Sequence, residues 1–379
     1  MPLILTEEQQ MLSEMAREFC ADNLPVSELR RLRDSTDADG FERKTWAEAV
    51  ELGWAGIPFP EELGGAGLGM TELGVVLEQC GRTLAATPLV ATVLAAGNAV
   101  LLGGSETQRK EILGPVCAGE TLLALAHQET PRFTPYQIAT SAEASGGGYI
   151  LRGEKRFVLD GHVADAFIVV ARTAGESAAR DGLSLFIVPA DASGASVQRT
   201  IMVDGRNAAG VSFDGVEVAA SAALGTPGAG ADLLDAVLDR VSIGLSAELL
   251  GTLDAAFERT LKYLKERQQF GVPIGSFQAL KHRAARMFVE LELLRTVVLE
   301  AMQAVDAGSD KVARLAAIAK ARASQAALLV SNECVQMHGG IGVTDEEDIG
   351  LFLKRARSVQ LSFGDASYHR DRFATLSGY

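Results

Sequence analysis

The chain has 379 residues, of which 47% are hydrophobic, and its 35 basic against 49 acidic side chains leave a formal net charge of −14. That length exceeds one hydrophobic core, so two or three packed regions are expected, and a mean hydropathy of +0.14 excludes a disordered polyelectrolyte. The acidic balance also excludes nucleic acid and anionic membrane surfaces as general partners, and requires any anionic ligand to be met by local arginines or helix N-termini. Cys20, Cys80, Cys117 and Cys334 are scattered without a CxxC, which argues against a disulfide framework and for a reducing cytoplasm. The N-terminus turns polar after five residues, without the apolar core of a signal peptide. The longest apolar stretch, 89–102, is too short to cross a bilayer and reads as a buried helix.

In chain order, residues 1–120 read as an all-α region. Thr6 and Gln9 have the spacing of a capping box, and Met11, Leu12, Met15 and Phe19 share one face of the helix that follows. The loop EELGGAGLGM leads to Thr71, the expected cap of the next helix. It lacks the GxxxxGK[ST] pattern and a preceding strand, so it is no phosphate cradle. Over 121–228 the period becomes that of strands: GGGYILRGEKRFVLDG, AFIVVART, LSLFIVPA and VSFDGVEV are short β-rich runs separated by turn residues, which predicts a small β-barrel or sandwich. From 229 to 379 the chain is helical again, with long Ala- and Leu-rich stretches over 231–266, 276–306 and 310–337, as in an antiparallel bundle. The fold class is therefore α+β, in three regions.

The junction between the first two bundle helices is KERQQFGVPIGSFQALKHRAARM, residues 265–287. A plain connection needs only small polar residues, yet this one is dense with planar hydrogen-bonding and stacking groups. Its pattern resembles the acyl-CoA dehydrogenase family, through Tyr263, Arg267, Phe270, Gly271, Ile274 and Gln278. The resemblance covers nearly the whole chain. It extends to QMHGGIG (336–342), GWAGIPFPEELGGAGLG, and FDGVEV followed by LG.

The resemblance implies FAD as cofactor, and the residue types suit it. Arg267 offers a planar fork to the pyrophosphate and Phe270 an apolar face to the adenine end. Gln278 and Gln336 supply amide donors, while Gly339 and Gly340 let backbone N–H groups approach closely. In similar proteins these blocks reach the flavin across a subunit boundary, which implies a homotetramer or an α2β2 heterotetramer with a related subunit. Phe157 takes the place of the aromatic beside the isoalloxazine, Leu159 stands where the family has a hydroxyl, and Asp160 reads as a turn residue. His338 is expected to pack against FAD and His369 to be structural. No His/carboxylate spacing suggests a metal.

The implied activity is dehydrogenation of an acyl-CoA to the 2-enoyl-CoA, with electrons passed to an electron-transferring flavoprotein. It needs a carboxylate to take the α-proton. Phe363 occupies the usual glutamate's place. Asp239, on the first bundle helix before Arg240, is the candidate base, with Asp365 and Glu248 as alternatives. Two other readings stay open: a base-lacking half-site subunit of a heterotetrameric dehydrogenase, and a flavin oxidase or monooxygenase on the same fold.

Overall fold

The computed structural model describes residues 4–379. The N-terminal region contains α1 (Glu7–Asn23), α2 (Val26–Ser35), α3 (Arg43–Glu51), α4 (Met70–Thr83), α5 (Asn98–Gly103) and α6 (Glu106–Cys117), with a π-helical segment Val90–Gly97 running into α5. The expected capping box starts α1: Thr6 Oγ1 accepts from Gln9 N at 3.2 Å and Gln9 Oε1 from Thr6 N at 3.0 Å. Its buried stripe is Ala16 and Cys20, with Leu12 and Phe19 half-buried, whereas Met11 and Met15 face solvent. The apolar face is thus rotated from the expected one, because α1 packs on α4 with Cys20 Sγ 4.0 Å from Cys80 Sγ. Helix α4 is capped by Gly69 rather than Thr71, and Glu72 closes back onto Gly69 N at 2.8 Å. Thr71 lies inside the first turn, where the Asp306 carboxylate receives its N–H at 3.0 Å and its hydroxyl.

The middle region is one sheet of β1 (Leu123–Ala126), β2 (Ser141–Ser145), β3 (Gly148–Leu159), β4 (Ala166–Arg172), β5 (Leu183–Pro189), β6 (Ala195–Ile201), β7 (Asn207–Ala219) and β8 (Ala223–Leu224). The strand order is β6-β7-β3-β2-β4-β5-β8, with β1 added parallel to β4. The sheet therefore has free edges and does not close into a barrel. Strand β4 is buried throughout because its alternate side chains enter two cores. Ile168 and Val170 join the helical core, while Phe167 and Val169 pack with Phe186, Val211 and Phe213 inside the β region.

The C-terminal region is a bundle of α7 (Ala231–Glu266), α8 (Gln278–Asp306), α9 (Val312–His338), α10 (Ile349–Leu361) and α11 (Ala366–Leu376), with a two-residue hairpin β9 (Gln268–Gln269) and β10 (Val272–Pro273) between α7 and α8. Helix α7 crosses α4 at the closest range glycine permits. A Cβ on Gly251 would sit 1.8 Å from Glu78 O, and one on Gly81 1.9 Å from Glu248 O. This crossing ties the N-terminal helices to the bundle, with the sheet packed beside both.

Candidate functional site

An inner cavity of ≈ 270 Å³ lies between the sheet and α10. Its walls are Leu125, His127 and Gln128 at the end of β1, Phe157 and Leu159 of β3, Met202 and Val203 before β7, and Leu361 and Phe363 beside Arg357 and Ser358. A bulge shapes one wall: the β3–β7 register slips between Lys155 and Val158, and Phe157 takes φ +53°. Bulges re-aim side chains in this way, and Phe157 is left 47% exposed, its ring against the cavity rather than the core.

The opposite wall is the turn after α10. Phe363 has φ +55° and Gly364 φ +98°. The turn is held from below by Lys320 of α9, which is wholly buried and donates to Gly364 O at 2.8 Å and Gln360 O at 3.2 Å. Burial pushes the Lys320 ammonium down to about 7. His369 donates Nε2–H to Phe363 O at 2.9 Å, and burial holds its imidazole down to about 3, so it is neutral. His369 is structural, as expected. The support from Lys320 does not announce itself in the sequence, since a lysine within an alanine-rich helix reads as a solvated residue.

The segment from His127 to Thr140 roofs the site. Glu129 clips it shut by accepting from Ala139 N at 2.6 Å, Thr140 N at 3.0 Å and Lys155 Nζ at 2.6 Å. Burial pushes Lys155 down to about 8, opposed by Glu129. His127 is buried with Nε2 on Pro135 O at 2.8 Å, and desolvation lowers it to about 4.

The three carboxylates named from the sequence are placed quite differently. Asp239 is buried on α7, hydrogen-bonded and ion-paired to Arg372 of α11. Burial raises its carboxyl above the ordinary range while Arg372 opposes that rise. Glu248 is buried in an ionic cluster, where it pairs with Arg206 and, at 3.3 Å, with Arg355, which itself holds Asp204 at 2.8 Å. Asp365 caps α11 by accepting from Tyr368 N at 2.9 Å, and it lines an outer surface cleft. Among the described residues, no Asp or Glu lines the inner cavity.

Arg267, Phe270, Gln278, Gln336, Gly339 and Gly340 are all exposed, Phe270 to 93%. They share one end of the bundle, because Tyr263 of α7 stacks on His338 of α9 at 4.5 Å. None of them lines the protomer's own inner cavity. His338 is buried on Tyr263 and bonds Cys334 O at 2.7 Å, so its ring is spent in the helix packing and not free to cover a cofactor. Arg267 forms no salt bridge among the described residues, leaving its guanidinium available for an external anion.

Family models for the acyl-CoA dehydrogenase N-terminal, middle and C-terminal domains match residues 6–120, 124–216 and 228–376. The chain belongs to the acyl-CoA dehydrogenase family. A probable acyl-CoA dehydrogenase of Bacillus subtilis is 32% identical over 97% of both chains. Butyryl-CoA dehydrogenase of Megasphaera elsdenii is similar over 100% of both chains, with a TM-score of 0.91 and 28% identity. A chain from a structural study of the electron-transferring flavoprotein of Acidaminococcus fermentans is similar over 100% of both chains, at TM-score 0.93 and 30% identity. The family is FAD-dependent, and the chain is a flavoprotein oxidoreductase of this class. The residues present fit that cofactor: a largely apolar cavity with an outward-turned aromatic for a flat ring, and an unpaired arginine beside exposed glycines for a phosphate. No helix among the described residues is long and apolar enough to cross a membrane.

Proposed function

We propose that this chain, with FAD bound, oxidises an acyl-CoA thioester to the 2-enoyl-CoA and passes the electrons to an electron-transferring flavoprotein. The observation that carries the reading is the inner cavity, walled by Phe157 and Phe363 and reached from an outer cleft, in a chain of this family. Bound FAD supplies the hydride acceptor for the β-carbon. Phe157, Leu125 and Leu159 would flank its ring. Arg267, Phe270, Gln278, Gln336, Gly339 and Gly340 would hold the phosphate and adenine end of a second copy's FAD, which is why they stand exposed here. That exchange requires at least a second copy, here placed in a homotetramer or an α2β2 tetramer, and the exposed Phe288, Val289 and Leu293 of α8 give such a contact apolar surface. Similarity to a chain studied with an electron-transferring flavoprotein supports that partner.

Asp239 is the proposed α-proton acceptor: it is buried on α7, and burial raises its carboxyl above its ordinary value while Arg372 opposes the rise. Anaerobic mixing with a panel of acyl-CoAs tests this through flavin bleaching. Asp239→Asn should slow bleaching at least about a hundredfold, since a positioned base contributes roughly 10²–10⁴-fold, while FAD stays bound. Wild-type bleaching in the Asn variant ends the assignment.

One observation favours a second reading, in which the chain is the half-site subunit of an α2β2 dehydrogenase. The inner cavity has no carboxylate wall, and Asp239 is committed to Arg372. On that reading the chain alone never bleaches with any acyl-CoA, and bleaching appears when a related sister subunit is co-expressed.

A further inference from the structure

We propose that Phe133 is a door between the outer cleft and the inner cavity and selects which acyl groups reach the flavin. This deepens the reading above and rests on its placing the flavin ring in the inner cavity. The outer cleft measures ≈ 870 Å³ and the inner cavity ≈ 270 Å³. Pro131 and Leu361 line both, so the two are parts of one passage.

Phe133 stands at the partition. It lines the cleft and not the cavity, yet its ring packs edge-on against two cavity-wall rings, His127 at 5.9 Å and Phe363 at 6.3 Å. On the cleft side it meets Tyr368 at 4.9 Å and 90°. A ring in contact with both walls narrows the way between them.

The frame of this door is tied while its leaf is not. Glu129 clips the segment at its base. At the far end Tyr136 donates to Asp235 at 2.7 Å, and Arg172 donates to Tyr136 O at 2.9 Å. Between those ties Phe133 is only half-buried and has no polar side-chain atom, so edge-on ring contacts and apolar packing at the margin of the core hold it, without a hydrogen bond of its own. A side-chain rotation opens the passage without moving the backbone. An acyl thioester would then pass its acyl group beside Phe133 and leave its polar arm in the cleft. Branched or ring-bearing acyl groups meet the door harder than short straight ones.

The test uses acyl-CoA thioether analogues, which bind but cannot be oxidised, with association followed by perturbation of the flavin absorbance in stopped flow. Phe133→Ala should raise the association rate of a bulky branched analogue by about tenfold or more and that of a short straight one by less than about threefold, with FAD content unchanged. Phe133→Tyr, which keeps the ring, should behave as wild type. If the alanine protein does not fold, Phe133→Leu is read against the same criterion. Unchanged rates, or equal acceleration of both analogues, overturn the door. A wild-type chain that holds no flavin is a separate failure, overturning the cavity reading and the door with it.

Discussion

Leu159 lines two spaces of different chemistry. On one side is the inner cavity, with aromatic and aliphatic walls. On the other is a small space of ≈ 20 Å³, room for about one water, bordered among others by Asp160, Arg206 and Arg355. There Arg355 joins three regions at once, reaching Asp204 of the sheet region, Glu248 of α7 and Leu84 O after α4. Burial raises the Asp160 carboxyl to about 7 at the edge of this group. The difference teaches where a charge is structural and where it is available. A buried carboxylate with two arginines is a fastener. The inner cavity has no such fastened carboxylate in its wall among the described residues, and its supports, Lys320, Lys155 and His369, act on backbone carbonyls or on the roof segment.

The sharpest way to break this contrast is Arg355→Ala. It leaves Asp204 without its arginine and Glu248 with Arg206 alone, and breaking a buried pair costs about 3–5 kcal/mol. Urea unfolding should report that loss, or the protein should fail to accumulate. A cost below about 1 kcal/mol would show that the cluster is solvated and not a fastener.

A second measurement sharpens the contrast through pH. His127 in the cavity wall has its pKa depressed from 6.5 to about 4 by burial, and His369 to about 3. Between those values and 6.5 the unfolded chain binds protons that the folded chain does not, so stability falls as pH drops through that window and is flat above it. For buried His127 the shift corresponds to a loss of up to about 3 kcal/mol by pH 4. His127→Gln should flatten the slope between pH 6.5 and 4. An unchanged slope would remove His127 as its origin.

The smallest expected effect lies on the cavity side. Phe157 is half-exposed, so Phe157→Ala should change stability by no more than about 0.5 kcal/mol. Loss of a stacking ring should weaken FAD by about 0.5–1.5 kcal/mol, roughly two- to twelvefold in affinity. If FAD titration of Phe157→Ala matches wild type, the ring does not touch the flavin.

Much of this was legible along the chain. Period and cap signals gave the helix-sheet-helix order, and α7 begins and ends where the pattern predicts it, because a long helix repeats its signal over many turns. The junction around Arg267 and the QMHGGIG loop stood out because local motifs carry their residue types in fixed spacing. On α1 the expected face holds for Leu12 and Phe19 but not for Met11 and Met15, whose places in the packing go to Ala16 and Cys20, because only the fit to α4 decides which apolar residues face inward. The free edges of the sheet were equally hidden, because strand runs do not encode which strands pair.

The candidate site divides along the same line. The sequence by itself, through its resemblance to the family, implied that Phe363 takes the usual base's place and offered Asp239, Glu248 and Asp365 as candidate acids. Only the tertiary structure decided that Glu248 is locked between two arginines, that Asp239 meets Arg372 from 133 residues away, and that Asp365 caps a helix at the cleft. It alone brought Phe133 against Phe363 and Lys320 beneath Gly364. The physical reason is that local motifs arise from contacts within a few residues, whereas the burial and pairing of a charge depend on elements that meet only when the three regions pack.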